Sequence, residues 1–221
     1  MSVAPRPLYR WLAFVAWALL IFALVPYAND LQAWVGRRLG DRALGAFLIA
    51  VLALAVATAG WWLLAVGRRR TAGLREAVTR FGWILGIAAL MGAWGWSLRV
   101  AAEPAHLFSF AVLGVLAFRA LCCRLRDRGV YPAAAALVAI VGTLDEVVQW
   151  LVPGRYWDLG DVGINAVTGV LVQLMIWKGI RPRSVAPGFS RRSLRISRSP
   201  CWPCAWPSPT PPRPPRDSEA S

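Results

Sequence analysis

Charge is scarce in this chain. Only 16% of its 221 residues are Asp, Glu, Lys or Arg, against roughly 25% in an average soluble domain. The 57% that are hydrophobic gather in long runs. Together these exclude an ordinary water-soluble globule and predict a polytopic membrane protein. Histidine is rarer still, with His106 the single one; a lone histidine is more often a hydrogen-bonding residue than a ligand, and only its neighbours raise its interest. Cysteine is sparse and badly spaced for metal. Cys122-Cys123 falls at a helix end, and Cys201-x-x-Cys204 supplies two ligands where a structural zinc takes four. A small-x-small cleavage signature is missing after the first apolar run, so that run reads as a retained helix rather than a signal peptide. No internal repeat is apparent.

The net charge of +14 would suit nucleic acid, but its placement argues against that partner. The basic residues sit in short segments between apolar runs and in the tail, as topology determinants do. Six candidate spans emerge, at Trp11–Val25, Ala43–Val66, Phe81–Leu98, Ala105–Cys123, Ala133–Val152 and Val162–Ile180. Most approach the ~20 residues that cross a ~30 Å hydrocarbon core. Leu8 and Tyr9 extend the first span, with Arg10 snorkelling to the interface; Pro26-Tyr27 ends it. In the third, Gly82-x-x-x-Gly86 with Gly92 and Gly95 predicts a face for close helix approach. The expected fold is therefore an all-α membrane bundle of about six helices. Residues 1–102 carry the first three, 103–180 the last three, and 181–221 form a basic, Pro- and Ser-rich tail with too few apolar residues to pack, which reads as disordered.

With the N-terminus in the cytoplasm, 20 of the 25 basic residues fall on the inside and five outside. The contrast survives removal of the tail, at 11 against five. The positive-inside rule then places both termini in the cytoplasm.

Against this apolar background a set of polar residues stands out. Glu103 and His106 are i, i+3 neighbours at the start of the fourth span; Asp145, Glu146 and Gln149 lie late in the fifth; Arg155 and Asp158 follow its Val152-Pro153-Gly154 stop; Asp161 and Asn165 open the sixth. The orientation brings them to one depth on the extracytoplasmic side. A charge at a helix centre costs of order ~2.5–3.5 kcal/mol on insertion scales, so such residues form the default functional site. Two adjacent acids at low dielectric resist full ionisation together, and one that keeps a proton can act as general acid or base. Arg155 is the expected countercharge, able to bind a carboxylate or phosphate at two points. The plainer alternatives are an ion-pair network that locks three helices, and an N-cap role for Asp161.

The order and spacing of these residues resemble the VanZ-like family. The resemblance rests on Glu103-x-x-His106-x-x-x-Phe110-x-x-Leu113-Gly114, on Gly142-x-x-Asp145-Glu146-x-x-Gln149, on Pro153-Gly154-Arg155, and on Asp161-x-x-x-Asn165-x-x-x-Gly169. It covers about Glu103 to Gln173. The multi-part pattern is specific, whereas any one piece is weak. It implies a small bacterial membrane protein whose namesake is associated with low-level resistance to teicoplanin, a glycopeptide that binds cell-wall precursors. It carries over no catalytic role and no resistance.

These readings converge on an envelope membrane protein with an outward polar site for an amphiphilic or lipid-linked substrate. Glu146 or Asp145 is the candidate general base, His106 its partner, and Arg155 with Asp158 the candidate head-group contacts. The same carboxylates and imidazole suit a divalent cation, though sequence alone assigns no metal or cofactor. A transporter or proton-coupled protein is the alternative, since membrane acids and histidine also build relays. It lacks the inverted repeat common among transporters. A structural scaffold held by buried ion pairs is the third.

Overall fold

The computed structural model describes residues 8–40, 74–97 and 102–182, with scattered positions from 46 to 61 and residues 185 and 186; within these, the side chains at 32, 35, 39, 74 and 102–104 are not described. All regular structure among the described residues is helical. In chain order the elements are α1 (Leu8–Leu24), a 3-10 turn Val25–Tyr27, α2 (Ala28–Leu39), α3 (Leu74–Ser97), α4 (Ala102–Leu121), α5 (Val130–Leu151) and α6 (Leu159–Leu174), the last running into a π-helical segment Met175–Ile180. Four helical stretches among the described residues are long and apolar enough to cross a membrane: Leu8–Arg38, Arg75–Ser97, Val130–Leu151 and Leu159–Ile180. Ala105–Leu121 is a shorter apolar helix. Most of the second expected span and nearly all of the tail lie outside the described residues.

The long helices bury polar residues beside an apolar core and turn large apolar side chains outward. On α5, Asp145 and Glu146 are 1% and 0% exposed, while Ile140, Leu144, Trp150 and Leu151 are 49–68% exposed. On α6, Asn165 and Thr168 are fully buried and Val167 and Val170 face outward. Apolar side chains that face out on every long helix are stable only against lipid, and polar groups in lipid turn to the bundle interior. This distribution marks the chain as membrane-spanning.

The bundle centre is built by α4, α5 and α6, with α1 laid on α4. Phe110, Leu113, Ala117, Val130, Ala134 and Val138 are buried together there. Interhelical hydrogen bonds pin the frame: Gln173 Nε2 on α6 donates to the Gly114 carbonyl on α4 at 2.9 Å, and Trp17 Nε1 on α1 donates to the Ser109 carbonyl at 3.0 Å. Each is worth about 0.6 kcal/mol in a bilayer, with an upper range near ~1.7.

Four expectations are corrected. Pro26 ends α1, which stops at Leu24, but it does not end helical structure, which resumes at Ala28. It occupies the opening of the 3-10 turn, where a missing N–H and a fixed φ cost little, so helix continues through α2. Arg10 is buried rather than snorkelled: its Nη1 lies 3.0 Å from the Cys123 Sγ and 3.8 Å from that of Cys122. The glycines of α3 make no close approach, since a Cβ at Gly82, Gly86, Gly92 or Gly95 meets nothing within 4 Å among the described residues. Close approach occurs instead between α5 and α6, where a Cβ at Gly142 would stand 2.7 Å from the Asn165 Cβ and one at Gly169 would stand 2.9 Å from a Val138 methyl. Finally, Asp161 is not the cap of α6. Asp158 is, accepting from the Gly160 N–H at 2.6 Å, and Asp161 lies in the first turn.

The two ends of the bundle differ in chemistry. At one end Arg10 meets the cysteine pair, Arg128 and Lys178 stack on Trp177, and Arg181 faces Glu76. The opposite end gathers Asn29, His106, Asp145, Glu146, Arg155 and Asp158.

Candidate functional site

The site is assembled at the α5 terminus. Asp145 and Gln149 share a face at i, i+4, and Gln149 also reaches Glu146 at i, i+3. Gln149 Nε2 donates to Asp145 Oδ2 at 3.1 Å and to Glu146 Oε1 at 2.8 Å. One amide thus straps two neighbouring carboxylates into a shared orientation. The second Glu146 oxygen accepts from the Asp158 backbone N–H at 3.2 Å. That bond ties α5 to the start of α6 across the loop 152–158. Gly154 makes the loop possible, with a φ of +82° that an L side chain rarely adopts.

His106 reaches the same group from α4. Its Nδ1 lies 3.6 Å from Asp145 Oδ2, an ion-pair distance longer than a hydrogen bond. The imidazole stacks on Phe110 one turn along, with ring centroids 6.1 Å apart. One donor atom from each of His106, Asp145 and Glu146 lies within 4.8 Å of the other two. Among the described residues, this group could hold a cation.

Deeper in the bundle the polar character continues. Asn165 packs over Gly142, one turn inward of Asp145. Both of its amide atoms, the Thr168 hydroxyl and Asp145 Oδ1 are buried with no hydrogen-bond partner among the described residues. An unpaired buried polar atom costs about 1–3 kcal/mol. Several in one place mark a region built for something other than stability.

Not every expected residue joins the cluster. His106, Asp145, Glu146 and Gln149 are in direct contact, and Asp158 joins through its backbone N–H. Asp161 stands close enough for its charge to act on both acids. Asn165 lies beneath the cluster. Arg155 was expected to face the acids; its Nη1 instead meets Asn29 Oδ1 at 2.8 Å, and it acts on Asp145 only at longer range. Glu103 belongs to the first turn of α4, but its side chain lies outside the described residues. Asn29 was not anticipated. The available signal was a polar Asn29-Asp30 pair one residue after the Pro26-Tyr27 turn. No family model, curated protein or solved structure matches this chain.

Around the cluster the rim is aromatic and apolar. Trp150, Leu151, Tyr156 and Leu159 are 64–78% exposed, and Tyr27 and Trp34 also face outward. Aromatic rings of this kind settle at the level of lipid head groups.

Proposed function

We propose that this chain is a VanZ-like protein of the bacterial inner membrane. In this reading it crosses the bilayer six times, keeps both termini in the cytoplasm, and acts outside on an amphiphilic or lipid-linked envelope substrate. One observation carries the functional part: Asp145 and Glu146 are buried side by side, strapped by Gln149 and met by His106, at the helix end that carries the exposed aromatic rim. Two neighbouring acids are an expensive way to join helices, because a buried pair often stabilises no better than a packed hydrophobic one. Acid–base work on a bound head group accounts for that expense. The acid pair, oriented by Gln149 and the Asp158 N–H, carries that chemistry with His106 beside it; Arg155 stands at the loop as the anion contact. The segregation of basic side chains at the opposite end supports the cytoplasmic assignment of the termini.

Extraction of lipids and cell-wall precursors from a deletion strain tests this reading. A lipid-linked species that accumulates and is cleared by the wild-type gene is the expected result. An unchanged lipid profile with a purely ionic phenotype would contradict it and favour transport.

A further inference from the structure

The geometry points to a single divalent-cation site formed by His106, Asp145 and Glu146, of the mixed imidazole–carboxylate kind that suits Zn2+. Three observations carry it, and none depends on what the substrate is. The first is the donor set. Imidazole nitrogen and carboxylate oxygen together are zinc ligands, and three protein ligands with open positions are the arrangement of a zinc that works on a bound molecule. Two ligand atoms on one tetrahedral zinc stand roughly 3.3 Å apart, given bonds of ~2.0–2.1 Å. His106 Nδ1 and Asp145 Oδ2 are 3.6 Å apart, too far for a hydrogen bond and close to that span. The full triad falls within 4.8 Å, so closing it takes only side-chain rotation.

Charge balance is the second. Two carboxylates are 0–1% exposed in a lipid-facing bundle, and among the described residues the base in contact with them is one imidazole. Arg155 is turned to Asn29. A divalent cation neutralises both acids at once.

The third lies outside the ligands themselves. Metal-bound side chains are oriented by further hydrogen bonds. Gln149 already fixes one oxygen of each acid, and the Asp158 N–H fixes the other Glu146 oxygen. Asp145 Oδ1 is left unpartnered among the described residues, and beneath it lies Asn165, fully buried with both amide atoms in the same condition. Water on a bound cation donates to the acceptor oxygens among these groups, Asp145 Oδ1 and Asn165 Oδ1.

The test uses the full chain in detergent, purified through a histidine-free tag, stripped with EDTA and titrated with Zn2+ against a chromophoric chelator. One saturable equivalent per chain is expected. His106→Gln and Asp145→Asn should each weaken it by more than 100-fold, and Gln149→Leu by ~10–100-fold, as loss of an orienting partner does. Replacement of Cys122, Cys123, Cys201 and Cys204 by serine should leave it intact. A measurement on the unaltered protein guards against variants that fail to fold. His106 is the only histidine, so electron spin-echo modulation from one imidazole nitrogen on bound Mn2+ identifies the site. Absence of saturable binding, binding that follows the cysteines, or bound Mn2+ without that nitrogen would each overturn the inference. Because metal content is read without any substrate, its failure is distinct from failure of the lipid reading.

Discussion

Gly142 and Asn165 set how closely α5 and α6 approach. A Cβ on Gly142 would stand 2.7 Å from the Asn165 Cβ, a separation real Cβ atoms essentially never show. Both atoms are anchored directly to backbone, so neither can swing away. The helices must separate or Asn165 must shift, and Asn165 lies directly beneath the acid pair.

Gly142→Ala is therefore expected to destabilise the protein by about 1–3 kcal/mol, the usual cost of overpacking a filled core. The check is the thermal midpoint in detergent. Gly163→Ala, on the facing helix α6 but with open space around its Cβ, should be neutral or mildly stabilising, since alanine favours helix by up to ~1 kcal/mol over glycine. Equal midpoints for the two variants would show that the approach is looser than described.

Arg155 separates bracing from binding. Its bond to Asn29 is solvent-exposed, and exposed charged contacts contribute only ~0–1 kcal/mol. Asn29→Ala should leave both accumulation and complementation of a deletion strain unchanged. Arg155→Ala should accumulate normally and fail to complement. If the two variants behave alike, Arg155 is a brace and the head-group contact lies elsewhere.

Orientation is open to reporter fusions. Fusions after Arg70 and after Arg183 should read cytoplasmic, and one at Gly36–Gly40, the end of α2, extracytoplasmic, as the 20-to-five division of basic residues requires. An external signal after Arg70 would move the polar cluster to the cytoplasm.

The apolar runs were legible because lipid imposes long, uninterrupted hydrophobicity on a helix. Asp145, Glu146, Gln149 and His106 were legible as a group for the complementary reason: charge in such runs is costly, and i, i+3 and i, i+4 spacing states which side chains share a face. What the sequence concealed depends on partners distant along the chain. A Pro26 that opens a 3-10 turn between two helices looks the same in sequence as one that ends helical structure. The glycines of α3 carry the motif of a packing face, yet tight approaches fall at Gly142, Gly169 and Gly179, which lack its spacing. Asp158 and Asp161 are equally good caps on paper; the extended backbone at Asp158, with φ −124° and ψ 115°, decides between them. Arg10 and the Cys122-Cys123 pair are over a hundred positions apart, and no local signal joins them.

The central claim is that the acids at the end of α5 do chemistry rather than hold helices together, and Glu146→Gln tests it most directly. The substitution keeps shape and an acceptor oxygen while removing the charge. Membrane-fraction abundance and complementation of the deletion strain are measured on the same cells. The account predicts normal abundance with complementation lost. If the acids serve only architecture, breaking the cluster costs up to ~3–5 kcal/mol, and abundance and complementation fall together. That result, or an abundant and fully complementing Glu146→Gln protein, would contradict the claim.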